Sequence, residues 1–179
     1  MNLSLGESRF AMRDIKLSIF FSFLVITGSL AQDEKYKDAA SDIITNSNNC
    51  ILITLDKTKS SQARIMDAFL PDENFVIWMA TNPNSRKVSQ IKRNPKVVVF
   101  YTDKDEQGYV SIHGRAELVN DNQPKEKYWK KEWEQFYPDR DKGLILIKVI
   151  PDYLEVINYR RGVSGDSITW QPVKVVFRH

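Results

Sequence analysis

Thr81, Ser85, Arg86 and Lys87 lie close together in the chain, and Arg64 lies one predicted strand upstream; no other group of residues is better suited to chemistry. The run Thr81-Asn-Pro-Asn-Ser-Arg-Lys87 reads as a turn leading into a short helix that opens at Ser85. Two cations at a helix start oppose the partial positive charge already there, a loss of roughly 0.3–1 kcal/mol each. A bound anion reverses the sign, because free N–H groups at a helix N-terminus hold phosphate well. Arg64 falls mid-strand in Gln62-Ala-Arg-Ile-Met-Asp67, where a long cation needs a counter-charge or water. Arg86 and Lys87 follow the turn after the neighbouring strand, and if that strand pairs with the one carrying Arg64, three cations and two hydroxyls converge on one point. A phosphate monoester of about −1.5 to −2 charge suits such a cluster, and arginine grips it bidentately. The opposing reading is a solvated pair at 86–87 plus an Arg64 salt bridge to a surface carboxylate.

Other chemistry finds little support. His113 and His179 are the only histidines, and no G-x-S-x-G or H-E-x-x-H is present. His113 sits on the polar side of a predicted strand, which favours a solvated or hydrogen-bonded residue over a base. Cys50 is the one cysteine, so neither an internal disulfide nor a cysteine metal cluster can form. It opens an apolar strand and reads as a small buried hydrophobe.

The elements that must position these residues follow from periodicity and turn signals. Residues 35–46 form a weakly amphipathic helix. Strands are expected at 50–55, 62–69, 75–80, 96–102 and 109–119, the last alternating strictly. The short helix spans 85–94 and stops at Pro95. A helix capped at Asp121 or Asn122, with Pro124 in its first turn, carries Trp129, Trp133, Phe136 and Tyr137 as a packing stripe. Further strands are expected at 144–150, 153–158 and around 170–177. Six or seven strands with short turns suggest a closed or split antiparallel barrel, with a sandwich equally open on periodicity alone.

Length and charge set the frame. The chain has 179 residues, net charge +3 and enough length for one domain. Residues 1–31 read as a leader: Arg13 and Lys16 precede the apolar run Leu17–Leu30, and Ser29-Leu-Ala31 offers small residues before Gln32. Met12 is a plausible true start. The run is too short for a bilayer-spanning helix, which needs roughly 20 residues. Export to the periplasm or medium is expected, with residues 32–179 as a single domain and no membrane anchor after cleavage. The near-balanced charge of that domain gives no field for nucleic acid.

Thr81-Asn-Pro-Asn-Ser-Arg-Lys-Val-Ser-Gln-Ile-Lys-Arg-Asn-Pro-Lys-Val97 resembles the T-N-x-x-S-R-K-x-x-Q-I-x-x-N-P-x-V signature of pyridoxamine 5′-phosphate oxidase-like split barrels. The short general stress protein branch is the nearest in pattern. Cys50–Leu55 followed by Ala63-Arg-Ile-Met66, Val110–Leu118, and Trp129…Phe136-Tyr-Pro138 support it in order, over residues 36–158. The resemblance implies a mainly β, six-stranded antiparallel split β-barrel, homodimeric, with FMN (or FAD) sites at the subunit interface. It places Arg64, Ile65 and Met66 on a flavin-contacting strand, Ala80 and Thr81 at the ring, and Arg86 and Lys87 on the phosphate. Ser85 and Tyr109 complete the candidate set; Tyr109 replaces an FMN-contacting glutamine and can either stack on a flavin ring or stand as an ordinary surface aromatic of its strand. Ile157 replaces a flavin-contacting tryptophan. Val163 and Gly165 replace the basic residues that hold substrate in vitamin B6 oxidases, which argues against that activity. The implied roles are a flavin-dependent oxidoreductase with unknown substrate and electron donor or, alternatively, a non-catalytic ligand-binding stress-protective module.

Overall fold

In the computed structural model, which describes residues 32–178, β-rich apolar runs separated by turns build seven antiparallel strands into one sheet. They are β1 (Cys50–Leu55), β2 (Ser61–Met66), β3 (Ile77–Thr81), β4 (Lys96–Thr102), β5 (Gly108–Val119), β6 (Ile145–Asn158) and β7 (Val173–Val176). The spatial order is β2-β1-β4-β5-β6-β3, with β7 also on β6. The long β6 pairs with β3 through Ile145–Val149 and with β7 through Tyr153–Val156, while β5 runs along its other edge. β3 then returns to the chain just after β2. Ala68 bridges Met79 there, and the Phe69 amide donates to the Trp78 carbonyl at 2.8 Å. The sheet thus curls on itself into a mainly β, split antiparallel barrel whose seam is held by a single bridge.

The curl has a local cause. Between His113 and Gly114 the β5–β6 register slips: His113 faces Tyr153 and Gly114 faces Pro151, so Asp152 is the extra residue of a bulge. Bulges bend and twist a strand locally. Gly114 is required by close approach, since a Cβ there would lie 2.2 Å from the Ile150 carbonyl oxygen. Residues 144–158, expected as two strands meeting at Pro151, therefore form one bent strand.

The interior is filled by Leu52, Ile77, Met79, Val99, Ile112, Ile147, Val149 and Leu154, all sealed from solvent. Helix α1 (residues 32–45) lays Ala39, Ala40, Ile43 and Ile44 on this core. Helix α2 (Arg86–Arg93) buries Val88, Gln90 and Ile91 and packs on β1 and β5.

Three expectations need correction. Residues 121–137 are not one helix: α3 is only Asn122–Lys127, residues 131–133 make a 3-10 turn, and α4 is Arg140–Gly143. Trp129, Trp133 and Tyr137 still pack, as a separate cluster in which Trp133 meets the other two edge-on with ring centroids 6.1 and 6.3 Å away, whereas Phe136 is exposed and does not join it. Trp133 also donates from Nε1 to Asp67 at 2.9 Å, a bond that fixes this segment against the barrel instead of along a helix axis. The third strand starts at Ile77, because Phe75 has φ 59° and cannot continue an extended run. The last strand covers only Val173–Val176, leaving Trp170 outside it and exposed. The expected leader at 1–31 lies outside the described residues.

Candidate functional site

Register decides where Arg64 points. It faces Leu52 across the β1–β2 ladder, so its side chain crosses β1 toward α2. There Nη1 donates to Thr54 Oγ1 at 2.7 Å and to the Leu52 carbonyl at 3.2 Å, and Nη2 donates to Gln90 Oε1 at 3.0 Å. Thr54 in turn donates to Gln90 Oε1 at 2.6 Å. All these acceptors are neutral. The network fixes the guanidinium without cancelling its charge.

The second half comes from the β3–α2 corner. Lys87 Nζ donates to Thr81 Oγ1 at 2.8 Å, and Thr81 Oγ1 lies 3.3 Å from Ser85 Oγ. Ser85 is the N-cap of α2, yet its side chain makes no capping bond, and the first turn holds no acid. Arg86 is exposed beside them. The two halves are near enough to interact electrostatically. Burial, and then the positive charge of Arg86, lower the Arg64 pKa from its ordinary value. Burial, followed by Arg64 and Arg86, lowers that of Lys87. Among the described residues none of the three cations has an ion pair with a carboxylate. The salt-bridge reading of Arg64 therefore fails, and the three cations show an electrostatic convergence, each of Arg64 and Lys87 feeling Arg86. Its route differs from direct β2–β3 pairing: α2, packed on β1, brings the halves together.

Beside this cluster lies a cleft of about 360 Å³ lined by Ile65, Met66, Ala80, Thr81 and Lys87 on the barrel side. Its outer wall is Glu132, Trp133, Gln135, Phe136 and Tyr137. The volume falls in the range of small-molecule sites, roughly 300–1,000 Å³. Asp67 latches that wall: it accepts from Lys130 Nζ as well as from Trp133, and Lys130 lies over the Phe69 ring, 5.0 Å from its centroid.

Tyr109 is elsewhere in the chain's own surface. It stacks on Phe100 with centroids 5.4 Å apart, pairs in register with Ile157, and lines a second cleft of about 610 Å³ with Phe100, Asp103 and Tyr159. Tyr109 and Ile157, two of the positions that depart from the resemblance, thus sit side by side in a cleft that none of the three cations lines. Val163 is buried and exchanges backbone hydrogen bonds with Asn158. His113 is hydrogen-bonded with Ser111 at 3.0 Å and stacks on Tyr153, with burial lowering its pKa.

Sequence reasoning missed Thr54, Gln90 and the outer wall. Thr54 is the one polar residue inside Cys50-Ile-Leu-Ile-Thr-Leu55, and Gln90 follows Lys87 at i+3 on the buried side of α2. Both were detectable as polar residues at apolar positions. The wall follows no local signal, because it is fixed by the distant Asp67.

Comparison with known proteins places the chain among proteins of this fold. The family model described as "Pyridoxamine 5′-phosphate oxidase like" matches residues 35–162. General stress protein 26 of Bacillus subtilis (strain 168) is 25% identical over 131 residues, covering 71% of this chain and 90% of that protein. The crystal structure of General Stress Protein 26 from Bacillus anthracis is 25% identical with TM-score 0.62, over 79% of this chain and 98% of that one. A pyridoxamine 5′-phosphate oxidase-related, FMN binding protein from Nostoc punctiforme shares the fold at 13% identity and TM-score 0.57, over 85% of this chain and 96% of that one.

Proposed function

Because the chain belongs to the pyridoxamine 5′-phosphate oxidase like family, on its general stress protein branch, we propose that it binds FMN and serves as an exported flavin-dependent oxidoreductase. One observation carries this reading: Arg64, Arg86 and Lys87 converge beside a cleft, and among the described residues no carboxylate is ion-paired to any of them. Placing like charges together costs stability unless an anion is bound, and a phosphate tail supplies about −1.5 to −2 charge. Arg64, Arg86 and Lys87 would hold the phosphate, with Thr81 and Ser85 giving hydroxyl contacts. Ile65, Met66 and Ala80 would pack against the ribityl chain and ring. Bound flavin supplies hydride and electron transfer, which the protein positions and tunes.

Association of two copies belongs to the same proposal. Ile51, Ile53, Val98 and Phe100 face outward from β1 and β4 and are only half-buried in a single chain. Tyr109, remote from the cations of its own chain, would then reach a flavin ring held by a second copy. A second reading is a binding module without turnover, favoured by the buried Val163 and by Gly165, which stand where the resemblance expects a basic substrate clamp and carry no charge. The test is FMN addition to purified mature protein, gel filtration and an absorbance spectrum. Stoichiometric retained flavin with NAD(P)H-dependent bleaching supports the oxidoreductase, and retained flavin without bleaching supports the module. Protein that emerges colourless excludes both flavin readings.

A further inference from the structure

The cleft has two chemically different ends. Among the described residues Lys87, beside Thr81, is its only lining cation, whereas Asp67 and Glu132 are its lining acids. The Asp67 carboxylate is already answered by Lys130 and by the Trp133 indole. Glu132 is exposed and has no ion pair among the described residues. Next to it Phe136 stays 69% exposed, and Trp133 and Tyr137 continue an aromatic surface. Such a wall repels a phosphate or carboxylate and attracts a π-faced molecule, more strongly when that molecule is cationic.

We infer that the second ligand of this cleft is a non-phosphorylated aromatic compound, neutral or preferably cationic, held by Phe136 and Glu132. The inference rests on the flavin reading, which gives the Lys87 end to the cofactor. It extends that reading from the cofactor to the class of compound the cofactor meets. Phe136 offers ring area at the mouth, and Glu132 offers the complementary charge. The Asp67 latch holds both in place, because it anchors Trp133 between them.

Equilibrium dialysis of 1-methylnicotinamide, an aromatic cation, and pyridoxine 5′-phosphate, an aromatic anion, tests this on FMN-loaded and FMN-free protein. FMN-loaded wild type is expected to prefer the cation. In both forms, cation affinity should fall about threefold in Glu132→Gln and about tenfold in Glu132→Lys. In the loaded lysine variant the preference should turn toward the anion. Loaded wild type that prefers the phosphorylated ring, or cation binding indifferent to both substitutions, overturns the inference. If the protein takes up no FMN while the Glu132 dependence persists, the flavin reading falls and the wall's preference stands.

Discussion

Lys87→Gln is expected to weaken FMN binding about 10- to 100-fold, since a hydrogen bond to a charged group contributes about 1.5–3 kcal/mol and each 1.4 kcal/mol is a factor of ten. Stability should move the other way, or hardly at all. Lys87 lies in the first turn of α2, against the helix dipole and near Arg64 and Arg86, so removing its charge relieves about 0.3–1 kcal/mol of repulsion. Loss of its bond to Thr81 offsets part of that gain. Opposite movement of affinity and stability is the signature of a residue kept for a ligand. Arg64→Ala is a less clean substitution, because it also strips Thr54 and Gln90 of a donor inside the barrel. Calorimetric titration with FMN and urea unfolding of the same samples check both directions. Parallel losses in affinity and stability would assign Lys87 to the fold.

Gly114→Ala should lower unfolding free energy by about 3 kcal/mol or more, the scale of severe overpacking in a well-packed region. The added Cβ would meet the Ile150 carbonyl oxygen at 2.2 Å and Pro151 Cα at 2.9 Å, both backbone atoms that no rotamer change can move. Relief requires β5 to part from β6 at the bulge. That would open the place where the sheet bends, and with it the course of β6 to β3 and to Thr81. Urea unfolding measures the loss; a change under about 1 kcal/mol would show that the bulge adapts without strain.

Much of this arrangement was legible in residue order, for physical reasons that can be named. β1 and β4 alternate cleanly between interior and exterior, and β5 alternates in residue type, so the bounds of all three were nearly correct from period alone. The helix start at Ser85 and its stop before Pro95 are local signals, and Arg86 and Lys87 announced themselves by their conflict with the dipole. Pro151 misled because a proline ordinarily interrupts a ladder, whereas here the bulge at Asp152 absorbs it. The segment 128–137 misled because its spacing matches a helix while its indole and lysine are claimed by Asp67, more than sixty residues away. Tyr109 shows the same limit from the other direction. Its position in the pattern pointed to the flavin ring, and only the folded chain reveals that it lines a cleft apart from the cations.

Comparing FMN with riboflavin, which lacks only the phosphate, isolates what the three cations do. Two or more charge-assisted bonds predict FMN binding at least about 100-fold tighter in wild type, with the gap narrowing in Lys87→Gln. Equal affinity for the two flavins would mean that Arg64, Arg86 and Lys87 gather around no phosphate.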